Sequence, residues 1–176
     1  AVRLFLQDHP QMRVVVPAAA PVADLVRAKV DEWPDGCVVI DPRDFDAATA
    51  AAHKRAAFRG AGLALAASGT VSLELAAAET PMVIGYNFNW LTFRIMKHMA
   101  LIDTVTLVNL VSETRVVPEC LGPECRGEMI SARLGEVLAA PDAQAEAMAL
   151  TMERLGQGDE APGLRAARAV LARLPN

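Results

Sequence analysis

The sequence is poor in most features that would give it an immediate identity. It has only three cysteines, Cys37, Cys120 and Cys125, an odd number with no pair spaced as CxxC. A disulfide framework is therefore not expected, and a reduced, cytoplasmic setting fits better. The three histidines, His9, His53 and His98, are scattered and none lies near Cys120 or Cys125 in sequence, so no zinc-ligand spacing is present and no metal site is expected. There is no excess of positive charge. Seventeen basic residues stand against 21 acidic ones, for a net charge of −4 and a pI near 5.4, which lacks the basic footprint of a nucleic-acid binder. The longest uncharged runs, Gly60–Leu73 and Thr80–Phe93, are 14 residues each, too short for a bilayer-spanning helix of roughly 18 or more. Neither GxGxxG nor GxxxxGK[ST] occurs, so dinucleotide and P-loop readings lack their motifs. The N-terminus has no apolar signal core and no initiator Met. Processing or derivation from a longer polypeptide would each account for that.

What is present is a chain able to fold. Its 176 residues fit one domain, and 53% hydrophobic content with a mean hydropathy of +0.25 excludes disorder. Thirty-three alanines, and arginine at 14 of the 17 basic positions, reflect genome base composition rather than function. Short β-branched runs alternate with longer helical stretches, the pattern of an α/β, Rossmann-like parallel sheet with helices on both faces. The expected strands are Met12–Pro17, Gly36–Ile40, Leu63–Ala67, Pro81–Tyr86 and Thr104–Leu110. The expected helices are Val2–His9, Pro21–Trp33, Asp44–Arg59 (capped by Asp44 or Asp46), Val71–Ala78 and Asn89–Ala100. Residues 1–125 would form the Rossmann-like α/β unit. Residues 126–176 would add a helical tail packed on it: Glu128–Ala139, Asp142–Leu155 and Gly163–Leu174, punctuated by Pro141, Gly156/Gly158 and Pro162/Gly163. Doubly wound domains open on a strand, and this chain starts inside the helix that would follow one.

Three segments carry chemistry. In AASGTVSLELAAA, Ala66–Ala78, a buried strand runs into Ser68-Gly69-Thr70 and a helix starts at once. Ligands of open α/β sheets bind beyond the carboxyl ends of strands, and a helix N-terminus offers unpaired N–H groups to an anion. Gly69 lets backbone and phosphate approach, Ser68 and Thr70 add hydroxyls, and Glu74 stands one turn into the helix, where a carboxylate suits a ribose diol. Ordinary helix capping with a first-turn acid accounts for the same residues. In TVTLVNLVSETRVVPECL, Asn109 is a polar residue near the end of an apolar run, either a site residue or an Asn closing a turn. Glu113, Arg115 and Glu119 follow in a loop. In NFNWLTFRIMKHM, Asn87–Met99, aromatics and bases at helical spacing fit core packing, or contact with anionic lipid.

Taken together, ALAASGTVSLELAAAETPMVIGY, the basic helix LTFRIMKHM and VNLVSETRVVPECL resemble the C-terminal domain of the lipid-A-disaccharide synthase family, over about Val2 to Leu121. The resemblance implies one half of a GT-B fold, in an inverting glycosyltransferase at the cytoplasmic side of the inner membrane. Such an enzyme joins UDP-2,3-diacylglucosamine to 2,3-diacylglucosamine 1-phosphate and releases UDP. It implies that Ser68, Gly69 and Thr70 line the diphosphate, Glu74 the ribose and Asn109 the sugar–phosphate region, with Arg115 and Glu119 in the matching loop. It places the acceptor site and general base in an N-terminal domain outside this chain, so no catalytic residue, metal or cofactor is expected here. The family's Pro before the Asn of VNL and its Leu-Leu-Ala-Gly stretch are replaced by Val108 and Leu110-Val111-Ser112-Glu113, and its Pro-Gly-Ser-Arg loop is absent. Two competing readings are another GT-B sugar enzyme (a peptidoglycan GlcNAc transferase or a UDP-GlcNAc epimerase) and a nucleotide-binding module without chemistry. The basic helix and the RVVPE run count against the first.

Overall fold

Strand β4, Met82–Tyr86, is the axis of the molecule. Met82, Val83 and Ile84 are fully buried, because consecutive side chains of a strand point to opposite faces and both faces here are covered. The computed structural model describes residues 1–87, 103–158 and 162–173. On one face of β4, Met82 and Ile84 meet Leu75 and Ala76 of α4 (Val71–Ala77), Val108 of α5 (Leu107–Ser112) and Ala147 and Met148 of α7 (Ala145–Leu155). Phe58 of α3 (Ala47–Gly60) packs on the same cluster. On the other face Val83 meets Phe5 of α1 (Val2–Asp8) and Ile130, Leu134 and Val137 of α6 (Gly127–Ala139). Gly127 is needed where α6 meets α1, since a Cβ there would lie 2.9 Å from the Ala1 nitrogen.

Among the described residues all strand pairs are parallel, as the sequence pattern implies, but they form two sheets rather than one. β1 (Val15–Pro17) pairs with β2 (Val38–Ile40), while β3 (Ala64–Ala66), β4 and β5 (Glu119–Leu121) form the second sheet in that order. The ladder is shorter than the apolar runs at all three of the first strands. The stretch expected as one helix over 21–33 is a 3₁₀ turn, Ala20–Val22, followed by α2, Ala23–Val30. Asp46 rather than Asp44 caps α3, accepting from the N–H groups of Ala48 and Thr49 at 2.9 and 3.0 Å. Asp44 instead pairs with Arg27. The last described helix is α8, Pro162–Leu171. The helix expected over 89–100 lies outside the described residues, among which no helix is long and apolar enough to cross a membrane.

One expected strand is a helix. Thr104–Leu110 reads as a strand by its β-branched, apolar content, yet residues 107–112 form α5, and the fifth strand is Glu119–Leu121, within the stretch read as loop. Short apolar runs do not distinguish strand from buried helix by periodicity. The choice is made by Glu119, whose carboxylate accepts from the N–H groups of Val105 at 3.1 Å and Thr106 at 2.9 Å, satisfying donors just ahead of the helix. Glu113 then ends α5 in the left-handed conformation at φ +61°.

Two polar groups complete the frame. Asp41, buried at the end of β2, accepts from Arg43 (Nη2, 2.7 Å) and Arg27 (Nε, 3.1 Å), and Arg43 reaches on to Asp24 of α2. The Arg43 guanidinium holds the Asp41 carboxyl far below the usual carboxylate range. Gln144, in the 3₁₀ turn Pro141–Gln144, acts as a surrogate strand residue. Its Oε1 accepts from Met82 N–H at 3.0 Å and its Nε2 donates to the Met82 carbonyl at 2.9 Å, on the edge of β4 that faces β5, at the amino end where β5 does not reach. Replacing Gln144 by Ala strands both Met82 groups in the core, where an unmet buried polar group costs ~1–3 kcal/mol. Urea unfolding of Gln144→Ala should show a loss of about 2 kcal/mol or more; a loss under about 0.5 kcal/mol contradicts this role.

Candidate functional site

The carboxyl end of β3 delivers the chain into Ala67, Ser68, Gly69 and Thr70 before α4 begins at Val71. The tight change of direction falls on Gly69, whose φ of +142° is a conformation that side-chain-bearing residues rarely adopt. Beyond it the carbonyls fold inward. Gly69 O accepts from Ser72 Oγ at 2.9 Å and Ser72 N at 3.3 Å, and Thr70 O accepts from Leu73 N at 3.0 Å. The donors are left without a partner: no described group accepts from the backbone N–H of Gly69, Thr70 or Val71, and the exposed Thr70 hydroxyl makes no cap bond. Chemically this is a row of amide donors at the positive end of a helix, suited to phosphate oxygens.

Ser68 has a different role from its neighbours. Its hydroxyl donates to the Val105 carbonyl at 2.8 Å, tying the loop to the segment ahead of α5. Val105 N–H in turn donates to the Glu119 carboxylate, which also accepts from Thr104 Oγ1, from Thr106 N–H, and from Asn109 Nδ2 at 3.5 Å. Asn109 is buried in α5, with both ends of its amide on one residue: Nδ2 donates to Val117 O at 2.9 Å and Oδ1 accepts from Val117 N at 3.0 Å. Arg115 donates to the Asn109 carbonyl at 3.2 Å and pairs with Asp103, which raises the guanidinium pKa and lowers that of the aspartate. The structure thus brings Ser68, Asn109, Arg115 and Glu119 into one hydrogen-bonded network beside the loop. Thr106 Oγ1, inside this network, is buried with no partner among the described residues.

Glu74 stands apart from that network. Its half-exposed carboxylate is 2.7 Å from Lys54 Nζ of α3, and the same ammonium lies 5.5 Å from the Phe58 ring centroid. Lys54 was not legible in the sequence, because a partner 20 residues away on another helix leaves no spacing signal. Thr104 and Val105 were equally silent, since they act through one hydroxyl and the backbone. A cavity of about 490 Å³ lies elsewhere, between Leu6, Met12 and Trp33 near the amino ends of β1 and β2.

A protein-family model described as lipid-A-disaccharide synthetase matches residues 3–171. Among individual proteins, the chain is 66% identical over 175 residues to the lipid-A-disaccharide synthase of Ruegeria pomeroyi, covering 99% of this chain and 44% of that protein. It is 38% identical to that of Paramagnetospirillum magneticum, over 97% of this chain and 43% of the relative, and 35% identical to that of Rhodospirillum centenum, over 96% and 41%. The chain therefore spans less than half the length of these relatives.

The geometry makes a prediction about Asn109. Asn109→Ala leaves the Val117 N–H and carbonyl unpaired in the core and should cost about 2 kcal/mol or more in urea unfolding. A variant as stable as the parent shows that the amide is not a structural link.

Proposed function

The chain belongs to the lipid-A-disaccharide synthase family, and on that footing we propose that it is the C-terminal, donor-binding part of an inverting glycosyltransferase of GT-B fold. Its substrate is UDP-2,3-diacylglucosamine, whose diacylglucosaminyl group passes to 2,3-diacylglucosamine 1-phosphate. The acceptor hydroxyl forms the new bond to the anomeric carbon, UDP departs with the electrons of the old one, and the hydroxyl proton goes to a base in the rest of the enzyme. The observation that carries the reading is the Ser68–Thr70 loop, with amide donors that no described group accepts from at the carboxyl end of a parallel strand. The donor diphosphate lies on the N–H groups of Gly69, Thr70 and Val71, with the Thr70 hydroxyl beside them. Charge developing on departing UDP is then met by fixed dipoles.

Glu74 takes the ribose diol, with Lys54 holding its carboxylate in place. Asn109, Arg115 and Glu119 frame the sugar–phosphate side, and the Ser68–Val105 bond fixes how far that frame stands from the loop. The site needs no cofactor, and the enzyme works on the cytoplasmic side of the inner membrane, where its lipid substrates lie. The chain alone transfers no sugar, because catalysis requires donor, acceptor and base at near-attack distance.

NMR shift mapping with UDP tests this reading. Perturbations should cluster on residues 68–74 and be the same in EDTA as in magnesium. Glu74→Ala should weaken binding roughly tenfold to a hundredfold, the loss of one charge-assisted hydrogen bond of ~1.5–3 kcal/mol. Shifts elsewhere, a strict magnesium requirement or no effect of Glu74→Ala contradicts the assignment, and glycosyl transfer by this chain alone contradicts the division of labour.

A further inference from the structure

The carboxylate of Glu74 is held by a grip that helix capping does not require. Glu74 is the fourth residue of α4, and its backbone N–H donates to the Thr70 carbonyl at 3.3 Å, so the side chain starts one turn beyond the loop. At 45% exposure a carboxylate on so flexible a stem would turn freely in water. Here both of its oxygens meet one ammonium: Lys54 Nζ lies 2.9 Å from Oε1 and 2.7 Å from Oε2. Two contacts fix the plane of the carboxylate as well as its place. Lys54 is itself anchored on a separate element. Its ammonium lies 5.5 Å from the ring centroid of Phe58, one turn further along α3. Phe58 packs on the core cluster, and its carbonyl accepts from Thr80 Oγ1 at 2.6 Å. Among the described residues no other side chain bonds Glu74. An ion pair this exposed contributes little to stability, so folding alone does not call for it.

We propose that Lys54 is a positioning residue that makes the donor site select a ribonucleotide over its 2′-deoxy counterpart. The inference rests on Glu74 taking the ribose diol and adds what sets the selectivity. Two vicinal hydroxyls donate to the two oxygens of one carboxylate only when its plane faces the diol. A plane fixed in advance collects both bonds, whereas a turning one must first be ordered, which weakens binding. A 2′-deoxyribose offers one hydroxyl fewer and leaves an oxygen unmatched, the loss by which hydrogen-bonding sites reject an analogue lacking a hydroxyl. With two N–H donors on Glu74 and the Phe58 ring beside it, the ammonium acts through the carboxylate and not on the sugar. Its charge also offsets that of Glu74 toward the diphosphate, but that effect is common to both nucleotides and cancels from the ratio of their affinities.

Calorimetry with UDP and 2′-deoxy-UDP tests this on the parent chain, Lys54→Met, Lys54→Arg, Glu74→Ala and the double variant Lys54→Met/Glu74→Ala. The readout is the ratio of the two dissociation constants. Lys54→Met should lower the preference for UDP roughly tenfold, about the selectivity of one hydrogen bond. Its urea midpoint should stay within about 0.3 M of the parent. Lys54→Arg, which also offers two N–H groups to a carboxylate, should keep the parental ratio. The double variant should match Glu74→Ala, because the lysine reaches the sugar only through Glu74. A parental ratio in Lys54→Met beside a lowered one in Glu74→Ala overturns the inference and leaves the ribose reading standing. A parental ratio in Glu74→Ala overturns the ribose reading, and the inference with it. A ratio that falls in Lys54→Met only together with a large loss of stability, and is not kept by Lys54→Arg, marks the lysine as structural and overturns the inference as well.

Discussion

The carboxylate of Glu119 is the constraint on which the candidate site depends. A carboxylate set among backbone amides is stable only when those amides turn toward it. Here Thr104 Oγ1, Val105 N–H and Thr106 N–H all do so, with Asn109 Nδ2 at the limit of reach. The consequence is geometric. Residues 104–106 lie across the side of β5, α5 starts where its first donors are met, and the Val105 carbonyl points at Ser68. The Ser68 hydroxyl is thereby occupied, and the donors of the loop that no described group accepts from are the backbone N–H groups of Gly69, Thr70 and Val71. Pre-oriented dipoles of this kind serve a phosphate because they need no rearrangement when it arrives.

That site rests on a core organised around one strand. β4 is covered on both faces, by α4, α5 and α7 on one side and α1 and α6 on the other. Where β5 stops short, Gln144 supplies the missing strand contacts from a turn between α6 and α7. The turn between α6 and α7 is thus bonded into the sheet, and these two helices pack on its opposite faces. The other sheet is secured at its end by Asp41 between Arg27 and Arg43, a buried charge made tolerable by two guanidinium partners.

The sequence showed the alternation of strands and helices, because buried parallel strands read as short apolar runs between alanine-rich amphipathic stretches. It also showed the Ser68-Gly69-Thr70 turn, since the residue types demanded by a tight strand-to-helix turn are local. It misread Thr104–Leu110 because β-branched apolar residues suit a buried helix as well as a strand, and the deciding group, Glu119, lies beyond the run itself. Gln144 and Lys54 were invisible for the same reason: each acts through a partner far along the chain, Met82 and Glu74, and nothing in local spacing marks them.

The central claim is that Glu119, through Val105, sets the geometry of the Ser68–Thr70 loop. The direct measurement is UDP affinity together with the amide shifts of residues 68–71 in Glu119→Ala, with Glu119→Gln alongside. The account predicts that the Ala variant shifts those amides before any nucleotide is added and binds UDP about tenfold or more weakly, the loss of roughly 1.4 kcal/mol, while the Gln variant, which keeps one acceptor oxygen, falls between. A folded Ala variant with parental shifts at residues 68–71 and parental UDP affinity would contradict it.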